Sequence, residues 1–143
     1  MGTEDKGPPR ILTLEREECL RLLAEHRFGR LAVALGDGAP VMRPVNYAFD
    51  ESSQSVVFRT GAGTKLHALL QAGRDAAFEI DEHDAERHTG WSVIILGVPR
   101  EVTSAAEVAR LERIGLEPYA PHDDRHWMRI TARTVSGRRI ERG

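Results

Sequence analysis

Apolar residues recur at helical spacing near the start of the chain and in short strand-like runs through the rest. Cys19, Leu20, Leu22 and Leu23 share one face of a helix predicted from about Leu14 to His26. Thr13 is placed to cap it, and Glu15, Glu17 and Glu18 suit the positive end of its dipole. Residues 1–12 begin polar, with two prolines, and read as a disordered arm ahead of a single domain over 13–143. A strand is expected from Phe28 to Leu35, a hairpin turn at Gly36-Asp37-Gly38, and a second strand from Ala39 to Phe49. Residues 50–54 form a polar turn, and a third strand runs from Ser55 to Thr60. Lys65 to Ala72 is a short helix that Gly73 can end. Asp75 to Asp81 and Gly90 to Val102 are strands on either side of an acidic, histidine-bearing loop. Few polar residues interrupt the second of these, so both its faces are expected to be covered. Ser104 caps a helix over 105–114, residues 116–124 are irregular, and a last strand runs from His126 to Val135 before a turn at Ser136-Gly137. About six antiparallel strands with two or three inserted helices predict a mainly β, α+β fold, a small barrel with helical packing.

Composition narrows the classes. The chain has 143 residues, enough for one domain with a core, and its 41% hydrophobic content is ordinary for a soluble protein. A net charge of −2 gives no basic field for nucleic acid. The longest apolar run, Val93-Ile94-Ile95-Leu96, cannot span a bilayer, and the first ten residues have no signal-peptide core. With Cys19 as its one cysteine the chain forms no internal disulfide, which fits a cytoplasmic location.

Chemistry concentrates at the junction Phe58-Arg59-Thr60-Gly61-Ala62-Gly63-Thr64-Lys65-Leu66. A strand end, a glycine-rich turn and a helix start bring unpaired N–H groups together with Arg59, Lys65 and two hydroxyls. Such a junction suits a phosphate or another anion. A capped surface helix with solvated basic residues accounts for the same residues. The spacing is not that of a P-loop, because Thr64 precedes the lysine and Leu66 follows it. No dinucleotide fingerprint follows a strand, and no Gly-x-Ser-x-Gly elbow exists. Cys19 sits on the apolar side of its helix, as a packing residue does. His83, Asp84, Glu86 and His88 in one loop, and His122, Asp123, Asp124 and His126 in another, carry metal-binding groups. Loop histidines among acids are more often solvated, so no metal site is assigned. Pro44 removes a ladder donor from its strand, and Asn46 adds a donor and an acceptor to an apolar run. Trp91 either closes a planar ligand site or fills core.

In order and spacing, Gly29-Arg30-Leu31-Ala32-Val33, Pro40-Val41, Arg43-Pro44-Val45-Asn46-Tyr47, Phe58-Arg59-Thr60, Gly63-Thr64-Lys65-Leu66 and Gly90-Trp91-Ser92-Val93 with Gly97 resemble the pyridoxamine 5′-phosphate oxidase-like split β-barrel flavoproteins. The similarity is to the short, nitroimidazole-reductase-like branch and covers roughly residues 14–140. It implies an FMN-binding homodimer with the cofactor at the subunit interface, acting as an oxidoreductase on a small molecule. Arg43, Val45, Asn46 and Tyr47 would line the flavin ring and ribityl chain. Arg59, Thr60 and Lys65 would hold the phosphate, with Leu66 beside them. Trp91 and Ser92 would reach the flavin of the partner chain. Relatives use F420 or haem instead, and a non-enzymatic binder or carrier of one of these groups is the alternative. The tail Ser136-Gly137-Arg138-Arg139-Ile140 lacks the Trp and Arg/His substrate region of true pyridoxamine-phosphate oxidases, so vitamin B6 oxidation is not expected.

Overall fold

A computed structural model describes residues 7–34, 39–61, 64–116 and 126–142; the side chain of Lys65 lies outside the described residues. Ten strands and three helices follow one another among them. In chain order they are β1 (Pro9–Thr13), α1 (Arg16–Glu25), β2 (Phe28–Val33), β3 (Val41–Asn46), β4 (Ala48–Asp50), β5 (Ser55–Thr60) and α2 (Lys65–Gln71). Then come β6 (Ala76–Asp84), β7 (Thr89–Gly97), β8 (Arg100–Glu101), α3 (Ala105–Glu112), β9 (His126–Thr131) and β10 (Thr134–Arg142). Every pairing is antiparallel, in a six-stranded sheet β1-β10-β7-β6-β2-β3 and a four-stranded sheet β4-β5-β9-β8. The two sheets face each other without closing into one cylinder, which makes the fold a split barrel.

The expected strand count is too low for a definite reason. Three long strands pass from one sheet to the other, and each breaks where it crosses. Residues 39–49 break at Tyr47, residues 90–102 at Val98-Pro99, and the last strand at Ala132-Arg133. Pro99 cannot donate to a ladder and suits such a break. The loop expected after Asp81 is instead the end of a long hairpin, with Asp84 paired to Thr89. The hairpin turn at residues 36–38 lies outside the described residues.

Both chain ends differ from expectation. Residues 9–12 are not an arm: Pro9–Thr13 pairs with β10 from Arg142 to Arg138. Thr13 is therefore in a strand, and α1 begins at Arg16 behind Glu15, with no side-chain cap. Ser136-Gly137 is not a turn either; β10 runs straight through it. A Cβ at Gly137 would lie 2.6 Å from Cys19 Sγ and 3.1 Å from a Leu14 methyl, so the glycine is where α1 presses on the sheet. Burial pushes the Cys19 thiol up, consistent with packing and not reactivity. Gly137→Ala is expected to cost about 1–3 kcal/mol by overpacking, read as a lowered midpoint in urea at unchanged slope.

The main core fills the space between the sheets. It takes Cys19, Leu22 and Leu23 from α1, Leu31 and Val33 from β2, Phe78 and Ile80 from β6, and Val93 and Ile95 from β7. Val56, Phe58, Met128 and Ile130 enter from the smaller sheet. The other face of that sheet carries a second cluster, Ala48, Val57 and Trp127, beneath Leu111 of α3. The strand covered on both faces is thus β5, where residues 55–58 are all buried. Within the single chain β7 is covered on one face only: Ile94 and Leu96, on the other, are 37% and 50% exposed.

Ser104 caps α3 as expected, its hydroxyl accepting from Glu107 N. An ion network then ties the helix down. Arg110 donates from Nη1 and Nη2 to the two carboxylate oxygens of Asp50 at 2.9 and 2.6 Å. Arg129 joins Glu107 at 2.6 Å, and the hydroxyls of Ser52 and Ser53 also donate to Asp50.

Candidate functional site

The junction after β5 is built by alternation along the strand. Successive residues of β5 point to opposite faces. Arg59 shares the α3-side face with Val57 and pairs in register with Trp127. Its guanidinium carbon lies 5.3 Å from the centre of the Trp127 ring, a cation–π contact. Thr60 pairs with His126 and belongs to the face turned to the main core. The side chains of Arg59 and Thr60 therefore point away from each other, and the structure does not bring them together on one ligand.

The two hydroxyls of the junction are already engaged. Thr64 caps α2, accepting from His67 N at 3.1 Å and donating to the Gly61 carbonyl at 2.9 Å. Thr60 Oγ1 lies 2.8 Å from His67 Nδ1, both side chains being buried. Gly73, at φ +69°, sits just beyond the end of α2 as expected. What remains open is on the Arg59 side. Arg59 Nε and Trp127 Nε1 are buried donors with no acceptor among the described residues. Buried N–H groups rarely go unpaired. An anion seated against Arg59 would relieve this, so these residues fit the phosphate end of a nucleotide cofactor. The Lys65 side chain, the second expected cation, lies outside the described residues.

The other expected contacts divide among several places. Arg43 is exposed, its Nη1 donating to the Met42 carbonyl at 2.9 Å. Val45 leans on the main core, as does Leu66. Asn46 is half-buried and on the opposite side of β3 from Arg43 and Val45. Tyr47 is fully buried, and its hydroxyl donates to the Leu23 carbonyl at 2.8 Å. Burial pushes that phenol's pKa up. Its side chain is a core strut at the sheet crossing, not a lining group. Pairing of Ala48 with Val57 puts Asn46 and Arg59 at the same end of the β4-β5 hairpin, each two residues beyond that pair.

Trp91 and Ser92 lie elsewhere in the single chain. Strand β7 is separated from β3 by β6 and β2, so three inter-strand spacings, about 14 Å, intervene. The Trp91 ring packs against the core and meets His26, just past the end of α1, edge-on, with ring centres 4.8 Å apart. Ser92 is on the opposite face, in line with Ile94 and Leu96. Both residues border a groove of about 590 Å³ between the β6-β7 hairpin tip and the β1-β10 edge, together with Asp81, Arg138 and Ile140.

That outer face of the larger sheet is apolar across several strands. In register, Leu96 neighbours Ala77, Ala77 neighbours Ala32, and Ala32 neighbours Met42, which is 62% exposed. The next row holds Ile94, Glu79, Arg30 and Pro44. Burial, then the adjoining Asp81 carboxylate, pushes Glu79 up to about 7, against the pull of Arg30 at 3.2 Å. No described helix is long and apolar enough to cross a membrane.

Two residues without an assigned role in the sequence reading stand out. Trp127 supplies the platform for Arg59, and His67 holds Thr60. No local motif marks either, because each acts across a strand pair or a loop closed by the fold.

Comparison with known proteins agrees with this architecture. Residues 15–139 match the family described as pyridoxamine 5′-phosphate oxidase. An uncharacterized protein of Mycobacterium tuberculosis is 34% identical over 113 residues, 76% of this chain and 72% of that protein. The structure of an FAD binding protein from Mycobacterium smegmatis superposes with a TM-score of 0.76 at 34% identity, covering 90% of this chain and 98% of that one. An FAD-binding protein from Mesorhizobium loti gives a TM-score of 0.70 at 27% identity, over 90% and 97% of the two chains. With the split barrel and the ordered motifs already in place, the match over residues 15–139 makes this chain a member of the pyridoxamine 5′-phosphate oxidase family.

Proposed function

We propose that this protein binds a flavin nucleotide and serves as a flavin-dependent oxidoreductase on a small molecule. The observation that carries the flavin reading is Arg59: a guanidinium stacked on Trp127, with a buried unpaired Nε, at the turn into α2. The likeness to two FAD-binding proteins at 34% and 27% identity supports it. The motif resemblance implies FMN, while these relatives favour FAD. Both carry the phosphate that Arg59 would meet. The flavin, when bound, supplies the hydride or electron transfer. The chain's own part is to hold the phosphate end through Arg59 and to orient the rest from β3, where Asn46 offers a donor and an acceptor. No acid–base pair or nucleophile is required of the protein for that role.

The active form is proposed to be a homodimer. The row Leu96, Ala77, Ala32 and Met42, exposed at its two ends and half-buried between, gives an apolar face for a second copy. A dimer would also let Trp91 and Ser92 serve the partner's cofactor, which the single chain keeps about 14 Å from β3. An obligate interface of about 2,000 Å² or more is expected. Titrating flavin-free protein with FMN, FAD and riboflavin tests the binding step by fluorescence. Tighter binding of the nucleotides than of riboflavin is expected; equal affinity for all three would remove the phosphate role. Bleaching of the bound flavin by NAD(P)H without oxygen separates an oxidoreductase from a carrier. Light scattering should give about twice the chain mass of 15.9 kDa at micromolar concentration, and a monomer would contradict the dimer.

A further inference from the structure

We propose that His67, Glu101 and His126 form a binding site for a divalent transition-metal ion, zinc being the best-suited probe. The three side chains come from α2, β8 and the first residue of β9. One ligand atom from each lies within 4.8 Å of the other two. Glu101 Oε1 is 3.3 Å from His67 Nε2 and 3.0 Å from His126 Nδ1. Two ligands about 2.0–2.1 Å from a tetrahedral zinc are about 3.4 Å apart, so little movement is needed to accept an ion.

The hydrogen-bond geometry supports this reading over a closed hydrogen-bond cluster. Glu101 Oε1 is buried, yet no donor is aligned on it for a hydrogen bond. The imidazole nitrogens are close enough but wrongly oriented to donate. On the far side of the ring, His67 Nδ1 is 2.8 Å from Thr60 Oγ1. With Nδ1–H given to that hydroxyl, Nε2 carries a lone pair 3.3 Å from Glu101 Oε1 and aimed to one side of it, where an ion could be shared by both. Two acceptors this close repel unless a proton or a cation is shared between them. Thr60 thus fills the place of the outer partner that fixes a metal-binding histidine's tautomer.

The fold explains why these groups meet. Along the inner face of the smaller sheet, Phe58 pairs with Met128 and Thr60 with His126, while Glu101 pairs with Met128 from the other side. The apolar row of the core ends there, and α2 lays His67 over its open end. The two imidazole rings are 4.3 Å apart at a 35° tilt. Nitrogen and carboxylate donors in this ratio suit zinc, iron or manganese better than calcium or magnesium. Three protein ligands leave a fourth position for water or an anion. This face is opposite the one that carries Arg59, so the metal would not occupy the proposed phosphate position.

The test uses the full chain, freed of metal with a chelator and titrated with zinc by calorimetry. One equivalent should bind per chain and raise the melting temperature. Glu101→Gln and His126→Gln, both at partly exposed positions, should each weaken zinc binding at least about tenfold. Thr60→Val should weaken it about 10–100-fold through the tautomer of His67. The double variant His83→Ala, His88→Ala, which alters the exposed hairpin histidines, should bind zinc as the unaltered chain does. Absence of saturable uptake would overturn the site. So would uptake that Glu101→Gln and His126→Gln leave unchanged, or that the hairpin variant abolishes.

Discussion

Arg59→Ala is expected to weaken binding of FMN or FAD by roughly tenfold to a hundredfold while leaving riboflavin nearly unaffected. A charge-assisted hydrogen bond to phosphate contributes about 1.5–3 kcal/mol, and each 1.4 kcal/mol is a factor of ten. Arg59 is placed for such a bond because its guanidinium rests on Trp127 and its Nε has no acceptor among the described residues. Arg59→Lys keeps the charge but loses the planar stack, so it should recover only part of the affinity. The fold should tolerate both changes, since Arg59 makes no ion pair among the described residues that a substitution would break. Equal losses for the nucleotides and for riboflavin would mean that Arg59 acts on the ring or on the fold, not on phosphate.

The largest expected effect on stability is at Asp50. Its carboxylate is 4% exposed and takes both arms of the Arg110 fork, two serine hydroxyls and the edge of Arg129. Asp50→Asn is expected to cost about 3 kcal/mol, the lower end of what removing one partner of a buried pair costs. The lower end applies because the Arg110 side chain, 38% exposed, can turn to water. Hydrogen bonds from Arg110 hold the Asp50 pKa well below the carboxylate range, and those from Arg110 and Arg129 hold Glu107 at about 2. Both groups are depressed in the folded chain, so their contribution is complete above the unfolded value near 4. It fades as pH falls through the folded values. The melting temperature should therefore drop progressively below about pH 4, and Asp50→Asn should flatten that acid limb. An unchanged acid limb in the variant would show that other carboxylates drive it.

Much of the framework was legible because it is local. The α1 face, the turn ending α2 at Gly73 and the Ser104 cap of α3 each rest on residues within a few positions of one another. The sheet crossings at Tyr47, Pro99 and Ala132 were not legible. A strand that passes between sheets keeps its alternation, and only the change of partner strand reveals the break. The β1 strand was missed because polar residues and prolines at an edge look like an unstructured arm. At the site, the junction of β5 and α2 was found from its glycines and basic residues. Its internal wiring was not, since Thr60 bonding to His67 and Arg59 stacking on Trp127 depend on the β5-β9 register. Tyr47 was read as a lining residue because it adjoins Asn46 in sequence, whereas the crossing turns it into the core.

The central claim is that the chain holds a flavin through its phosphate end. Its most direct test is the visible spectrum and the mass of the small molecule released when the purified protein is denatured. A two-band flavin spectrum with the mass of FMN or FAD, near one per chain, is the predicted result. A Soret band, the mass of F420, or a colourless protein that takes up no added flavin would contradict it.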